Sequence, residues 1–302
     1  MRITNSMLIN NMISNINKNL INLDKYQQQL ATGKKIQVPS DDPVIAARAL
    51  KLRTDVSKLN QYKRNIDDAK SWLEYTDSIL SQIGDVLHRA RELAVEGANG
   101  TMTPEDMMTV KEEIEELKTQ LIHLSNSSYA GRYIFSGFST DKKLLDENGA
   151  FALDMDSSQI IRYEIGVGDD ININVPGNEL FNMGGTAVKG EKGKLIKDMD
   201  TLIAALESAD GGKVRTALGL IDENFENILM IRADAGARHN RLELTKNRVD
   251  NDIINFVRLM SENEDVDMAE TVMRLSNEEY VYRASLAGGA RIIQPSLVDF
   301  LR

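Results

Sequence analysis

Side chains able to do chemistry are sparse in this chain. Cysteine is absent, which excludes disulfides, thiolate metal sites and thiol nucleophiles. The three histidines, His88, His123 and His239, lie far apart on helical pattern, and His123 neighbours the apolar Leu121 and Leu124. They read as surface or seam histidines rather than metal ligands. Asp170-Ile171-Asn172-Ile173-Asn174 opens like a calcium loop, with oxygen-bearing side chains at alternate positions. Such a loop turns on a glycine at its sixth position and closes on an acid at its twelfth. Here those positions hold Val175 and Phe181, so a decorated β-strand is the better account. The acidic pairs Glu112-Glu113 and Glu115-Glu116 fall between apolar positions and describe a solvated helix face. No HExxH, GxSxG, Walker A or GxGxxG pattern occurs. The expectation is a chain without catalytic, cofactor-binding or metal-ligating residues, and not an enzyme.

Charge and hydropathy narrow the partners. With 46 acidic against 36 basic residues the net charge is −10, which disfavours nucleic acid or an anionic membrane surface. Lys34-Lys35 and Lys142-Lys143 lack interleaved aromatics, so nucleic-acid binding is not expected. The longest apolar runs fall far short of the ~20 residues of a membrane span. Near the start, Asn10, Asn11 and Ser14 interrupt the only apolar stretch, so no secretory signal segment is expected.

Proline placement then points to the elements. The five prolines sit at positions 39, 43, 104, 176 and 295. The 118-residue gap between the last two should carry about six at average usage. A proline costs ~3 kcal/mol inside a helix, so long gaps predict long helices. Periodicity agrees. Ile9, Ile13, Ile16, Leu20, Leu23, Gln27 and Leu30 follow heptad spacing that Gly33 ends. In Ser40-Asp41-Asp42-Pro43, Asp42 is placed to cap a helix that Pro43 begins. Its stripe runs from Leu52 through Ile66, Leu73, Leu80 and Leu87 to Ala94, a helix of roughly 50 residues that stops at Gly97 and Gly100. Thr103-Pro104-Glu105-Asp106 starts another, with Met107, Val110, Ile114, Leu117, Leu121 and Leu124 as its stripe.

After Tyr129 the pattern becomes β-prone: Tyr133-Ile134-Phe135, Phe151-Ala152-Leu153, Ile160 to Ile165 and Ile171 to Val175, separated by glycines. Helical spacing resumes at Leu195. It continues beyond Gly211-Gly212 through Val214, Ile221, Ile228, Leu242 and Val249, and Asp267 caps a last helix carrying Met268, Val272, Leu275, Tyr282, Leu286 and Ile293. Residues 1–40 hold five basic groups and one acid, whereas 263–302 hold seven acids and four arginines. Opposite charge favours pairing of the two ends, weakly because of screening. Ile9, Ile13, Ile16, Leu20 and Leu23 are therefore expected to meet Val272, Leu275, Tyr282 and Leu286 in a coiled coil.

The predicted fold is mainly α, a long antiparallel helical rod and coiled coil made from both chain ends. A small β-rich insertion completes it. The domains expected are 1–40 with 263–302 as a terminal coiled coil, 41–135 with 191–262 as a helical rod, and 136–190 as a small β-rich domain. Two helices alone bury too little to order some 80 terminal residues, so the ends are expected to fold only when neighbouring subunits cover them.

Several stretches also resemble a known family. They are Met1-Arg2-Ile3-Thr4, Leu30-Ala31-Thr32-Gly33-Lys34-Lys35-Ile36, Pro39-Ser40-Asp41-Asp42-Pro43-Val44-Ile45-Ala46-Ala47, Tyr133-Ile134-Phe135-Ser136-Gly137, Asp267-Met268-Ala269-Glu270 and Ser296-Leu297-Val298-Asp299-Phe300-Leu301. Together they resemble the bacterial flagellin superfamily, and within it the hook-associated proteins that join hook to filament. The resemblance spans the chain and is weakest across 140–190. It implies a folded-back molecule whose termini pair as an inner coiled coil and whose β-rich domain, 136–190, is outer and dispensable for joining, and export through the flagellar type III system without a cleaved signal. It also implies a ring of identical subunits as the assembled form. The partners implied are hook-associated protein 1, flagellin and a flagellar export chaperone. Flagellin itself, or another helical secretion-system scaffold, is the alternative.

Overall fold

The computed structural model describes residues 5–99 and 102–293. Met1-Arg2-Ile3-Thr4, Gly100, Pro295 and the segment Ser296 to Leu301 lie outside the described residues. Among the described residues, seven helices and two small hairpins follow one another. They are α1 (Asn5–Thr32), α2 (Pro43–Ala98), α3 (Pro104–Ser125), β1 (Ser128–Tyr129), β2 (Arg132–Tyr133), β3 (Arg162–Gly166), β4 (Asp169–Asn172), α4 (Gly177–Asn182), α5 (Lys194–Glu207), α6 (Gly211–Glu264) and α7 (Met268–Ile293).

The helix starts follow from local chemistry. Asp42 Oδ1 accepts from the backbone N–H groups of Val44 and Ile45 at 2.9 and 3.0 Å, and Pro43 occupies the first helical position, where its missing donor costs nothing. Thr103 and Asp106 form a reciprocal capping box at α3. Asp210 caps α6 through Gly212 and Lys213, and Asp267 caps α7 through Ala269 and Glu270. Gly33, at φ +69°, turns the chain after α1 in a conformation that resists side chains.

The chain divides into two compact units, residues 59–251 and residues 1–58 with 252–302. In the first, α2 and α6 run antiparallel. Lys63, Asp67, Glu74 and Arg91 on α2 face Asp250, Lys246, His239 and Asp222 on α6. Between these pairs the seam is dry. Ile66, Ala69, Leu73, Thr76, Leu80, Ile83, Leu87 and Ala90 are buried, as are Val214, Ile221, Ile228, Ala235, Leu242 and Val249. The helix α3 lies against α5, with Lys118 on Asp200 at 2.8 Å and Met107, Val110 and Ile114 turned inward.

The segment between the helices is less β-rich than its pattern suggests. Two antiparallel pairs form, β1 with β2 and β3 with β4. Phe151, expected in a strand, makes an isolated bridge with Leu145 and backbone bonds to Gly190 and Glu191 rather than a ladder, and α4 follows where no helix was expected. Side-chain amides do much of the hydrogen bonding that a ladder would otherwise do. Asn126 accepts from the N–H groups of Leu144 and Leu145 and donates to the Leu145 carbonyl. Asn174 accepts from Ile161 N–H and donates to the Gln159 carbonyl. A β-carbon on Gly177 would come within 2.5 Å of Leu144, so this approach requires glycine.

Nor is the segment loosely attached. Its Phe135, Phe151, Phe181 and Leu144 are fully buried. Glu164 holds Tyr62 and Asn65 of α2, and Asp169 holds Arg241 and Arg248 of α6. These tethers join it to both long helices of its unit.

One buried acid runs against the rest of this core. Asp198 on α5 is 7% exposed and accepts from Asn224 Nδ2 at 2.7 Å. Burial pushes its carboxyl above the ordinary value, partly offset by the Asn224 donor and Lys194. A raised value in the fold means the charged form is penalised, so the cost is present at neutral pH and vanishes as pH falls through the raised value. Asp198→Asn should therefore stabilise the protein by about 1 kcal/mol at pH 7 in urea titration. The gain should shrink as pH falls through the raised value and be gone below the ordinary carboxyl value of about 3.9.

Candidate functional site

In the unit of residues 1–58 and 252–302, α1 and α7 pack along each other. Their order is antiparallel. Met12 lies against Gly289, Asn19 Nδ2 donates to Ser285 Oγ at 3.0 Å, Tyr26 meets the Arg274 guanidinium, and Lys34 bridges Asp265. Gly289 lets the helices come close, because a β-carbon there would sit 2.8 Å from Met12 Sδ.

Each helix carries two overlapping heptad edges. Ile9, Ile16 and Leu23 on α1, with Leu275 and Tyr282 on α7, are half-buried. Met12, Asn19 and Tyr26 complete the α1 edge that meets α7, and Thr271, Ser285 and Gly289 complete the facing one. Ile13, Leu20, Val272 and Leu286 lie on the other edge, between 45 and 47% exposed. Met7, Ile21, Met273 and Tyr280 are exposed as well. Sequence spacing alone passed over Met12, Asn19, Tyr26, Thr271, Ser285 and Gly289. The signal was present, since 12, 16, 19, 23, 26 and 30 also step 4-3-4-3-4. Two of its members are polar, and an apolar count favours the Ile13-Leu20 alternative.

Below this pair the two connectors join. Lys35 N–H donates to the Glu264 carbonyl at 2.6 Å and Val266 N–H to the Gly33 carbonyl at 3.0 Å. The Glu264 side chain, 2% exposed, takes a two-pronged contact from Arg53 at 2.8 and 2.6 Å and lies 3.3 Å from Lys34 Nζ. Arg53 and Lys34 hold its carboxyl below the ordinary value, and Asp265 together with Glu264 raises Lys34. In the loop Ser40, Asp41, Asp42, Pro43, the Asp41 carboxylate accepts from Gln37 and Val38 N–H groups and fixes the turn before the Asp42 cap. Ser40 is exposed.

Elsewhere the polar groups serve structure. His88 pairs with Glu92 at 3.4 Å and His239 with Glu74 at 3.2 Å. Asp170 pairs with Arg162. Among the described residues no group of three or more acids or histidines is placed to hold a metal ion, and no helix is long and apolar enough to cross a membrane. A groove of about 630 Å³ lies between Ile122, His123 and Asn126 of the α3 end and Leu145 to Asn148. Its Asn126 and Asp146 side chains are engaged with backbone groups of the same loop.

Comparison with known proteins places this arrangement. Residues 3–140 match the bacterial flagellin N-terminal helical region and residues 218–301 the C-terminal helical region, together well over half of the chain. Flagellar hook-associated protein 3 of Escherichia coli K12 is 27% identical over 94% of this chain and 95% of its own. A flagellar filament 30.7 kDa core protein of Treponema maltophilum is also 27% identical, over 93% of this chain and 94% of its own. Among solved structures, a hook-associated protein of Vibrio parahaemolyticus shares the fold at a TM-score of 0.63 and 23% identity, covering 74% of this chain and all of that one. With both of its terminal helical regions matched, the chain belongs to the bacterial flagellin family.

Proposed function

We propose that this protein is a structural subunit of the bacterial flagellum, an adaptor at the junction of hook and filament that carries no active site. The observation that carries this reading is the unused apolar edge of the terminal helices. Ile13 and Leu20 on α1, with Val272 and Leu286 on α7, stay nearly half exposed although they repeat at heptad spacing. A two-helix pair uses only one edge of each helix. A second regular edge is what further helices need in order to pack, as in bundles with more than two strands. Copies of the chain would supply those helices, closing into a ring with residues 1–40 and 263–302 inward. Segments 41–135 and 191–262 would stack as the rod, with 136–190 outward. Hook-associated protein 1 on one side and flagellin on the other are the neighbours in this reading, with an export chaperone and type III passage before assembly.

Three outcomes test it. Deleting the gene should leave cells with intact hooks that shed flagellin into the medium, and plasmid-borne wild type should restore attached filaments. Indefinite polymerisation of the purified chain into filaments would instead make it a flagellin. Next, Ile13→Glu with Leu20→Glu, or Val272→Glu with Leu286→Glu, should fail to restore filaments while the unfolding free energy of the free protein, from urea titration, changes by less than about 0.5 kcal/mol. Lastly, limited proteolysis of the free subunit should cut first within 5–32 and 268–293 and leave 59–251 intact. Equal resistance of the terminal helices would contradict assembly-coupled folding.

A further inference from the structure

We propose that Glu264, Arg53 and Lys34 form a latch that makes the two ends of the chain dock and release as one body. Glu264 is the only buried acid among the described residues of its unit. Its two cations come from different segments, Arg53 from α2 and Lys34 from the connector between α1 and α2. Glu264 itself ends α6, one residue before the connector to α7. A carboxylate so enclosed is tolerable only while its cations stay in place, because removing one partner leaves an uncompensated buried charge. Pulling the α1 connector away takes Lys34 with it. Pulling the α7 connector away drags on Asp265, the second carboxylate that holds Lys34, at 2.6 Å. Either motion strips the same node.

Backbone and side-chain bonds make the coupling reciprocal. The carbonyl of Gly33 holds Val266, and the carbonyl of Glu264 holds Lys35. Lys35 Nζ donates to the Glu262 carbonyl at 2.7 Å, Gln29 Nε2 of α1 to the Lys35 carbonyl at 2.8 Å, and Asn263 Nδ2 to the Ile45 carbonyl at 3.2 Å. Each root of the terminal pair is therefore bonded to the other root, and both to α2. Independent fraying of α1 or α7 would have to break bonds that the other helix also needs. The latch belongs to the single chain and operates whichever assembly the chain enters.

Hydrogen exchange by mass spectrometry on the full-length protein tests this. In wild type, segments 33–36 and 262–268 should be protected to a similar degree. Glu264→Gln keeps the side-chain volume and removes the charge, and should speed exchange at least tenfold in both segments together, with 66–94 unchanged. Arg53→Lys keeps the charge and loses the two-pronged contact, and should give a smaller, equally paired acceleration; it decides the matter if Glu264→Gln fails to fold. The exchanged pair Arg53→Glu with Glu264→Arg should recover part of the protection. Fast exchange of both segments in wild type, unchanged exchange in the variants, or loss in one segment alone would overturn the latch.

Discussion

Everything in the larger unit depends on the register between α2 and α6. On α2 the charged residues advance from Lys63 to Asp67, Glu74 and Arg91, and on α6 their partners retreat by the same number of residues, from Asp250 to Lys246, His239 and Asp222. The exposed pairs are each worth at most ~1 kcal/mol. They do not supply the main stabilisation, which comes from the apolar stripe between Ile66 and Ala94 meeting its counterpart from Val214 to Val249. A stripe of similar aliphatic side chains could slide by a heptad at modest loss. Charges at fixed positions make the slid alignments worse, and so select one. Once that register is set, Arg241 and Arg248 stand where Asp169 can reach them, and Tyr62 and Asn65 where Glu164 can.

That dependence explains what sequence reveals here and what it hides. The helix starts at Pro43 and Pro104 and the turn at Gly33 are local events, decided by a cap, a missing donor or a positive φ, and they are legible residue by residue. The long seams are legible too, because a repeat sustained over many turns leaves few alternatives. The β-prone segment is not. Its apolar alternation is real, but Asn126 and Asn174 bond the backbone groups that a ladder would use, and nothing in local pattern distinguishes an asparagine that replaces a strand from one that ends it. The fully buried Phe151 and Phe181 are core residues recruited by tertiary packing, which propensity does not encode.

The terminal pair was partly legible for a different reason. Ile9, Ile16 and Leu23 belong to both heptad edges of α1, so their inward placement follows from either choice. Choosing between Ile13-Leu20 and Met12-Asn19-Tyr26 requires knowing what lies opposite. Opposite lie Gly289, Ser285 and Arg274, small or polar partners that suit a close, hydrogen-bonded contact better than two aliphatic rows. The more apolar edge is thereby left facing outward.

This allocation has a physical consequence. A pair that spends its polar and glycine edge on internal contact gains little burial, since a neutral hydrogen bond such as Asn19 to Ser285 contributes only ~1 kcal/mol net. Ordering the same residues costs about as much for every one or two positions fixed. The aliphatic edge is left without a partner inside the pair, and at the root the bonded connectors tie both helices to α2. Reversing the two edges would produce a more stable monomer with less apolar surface left for neighbours.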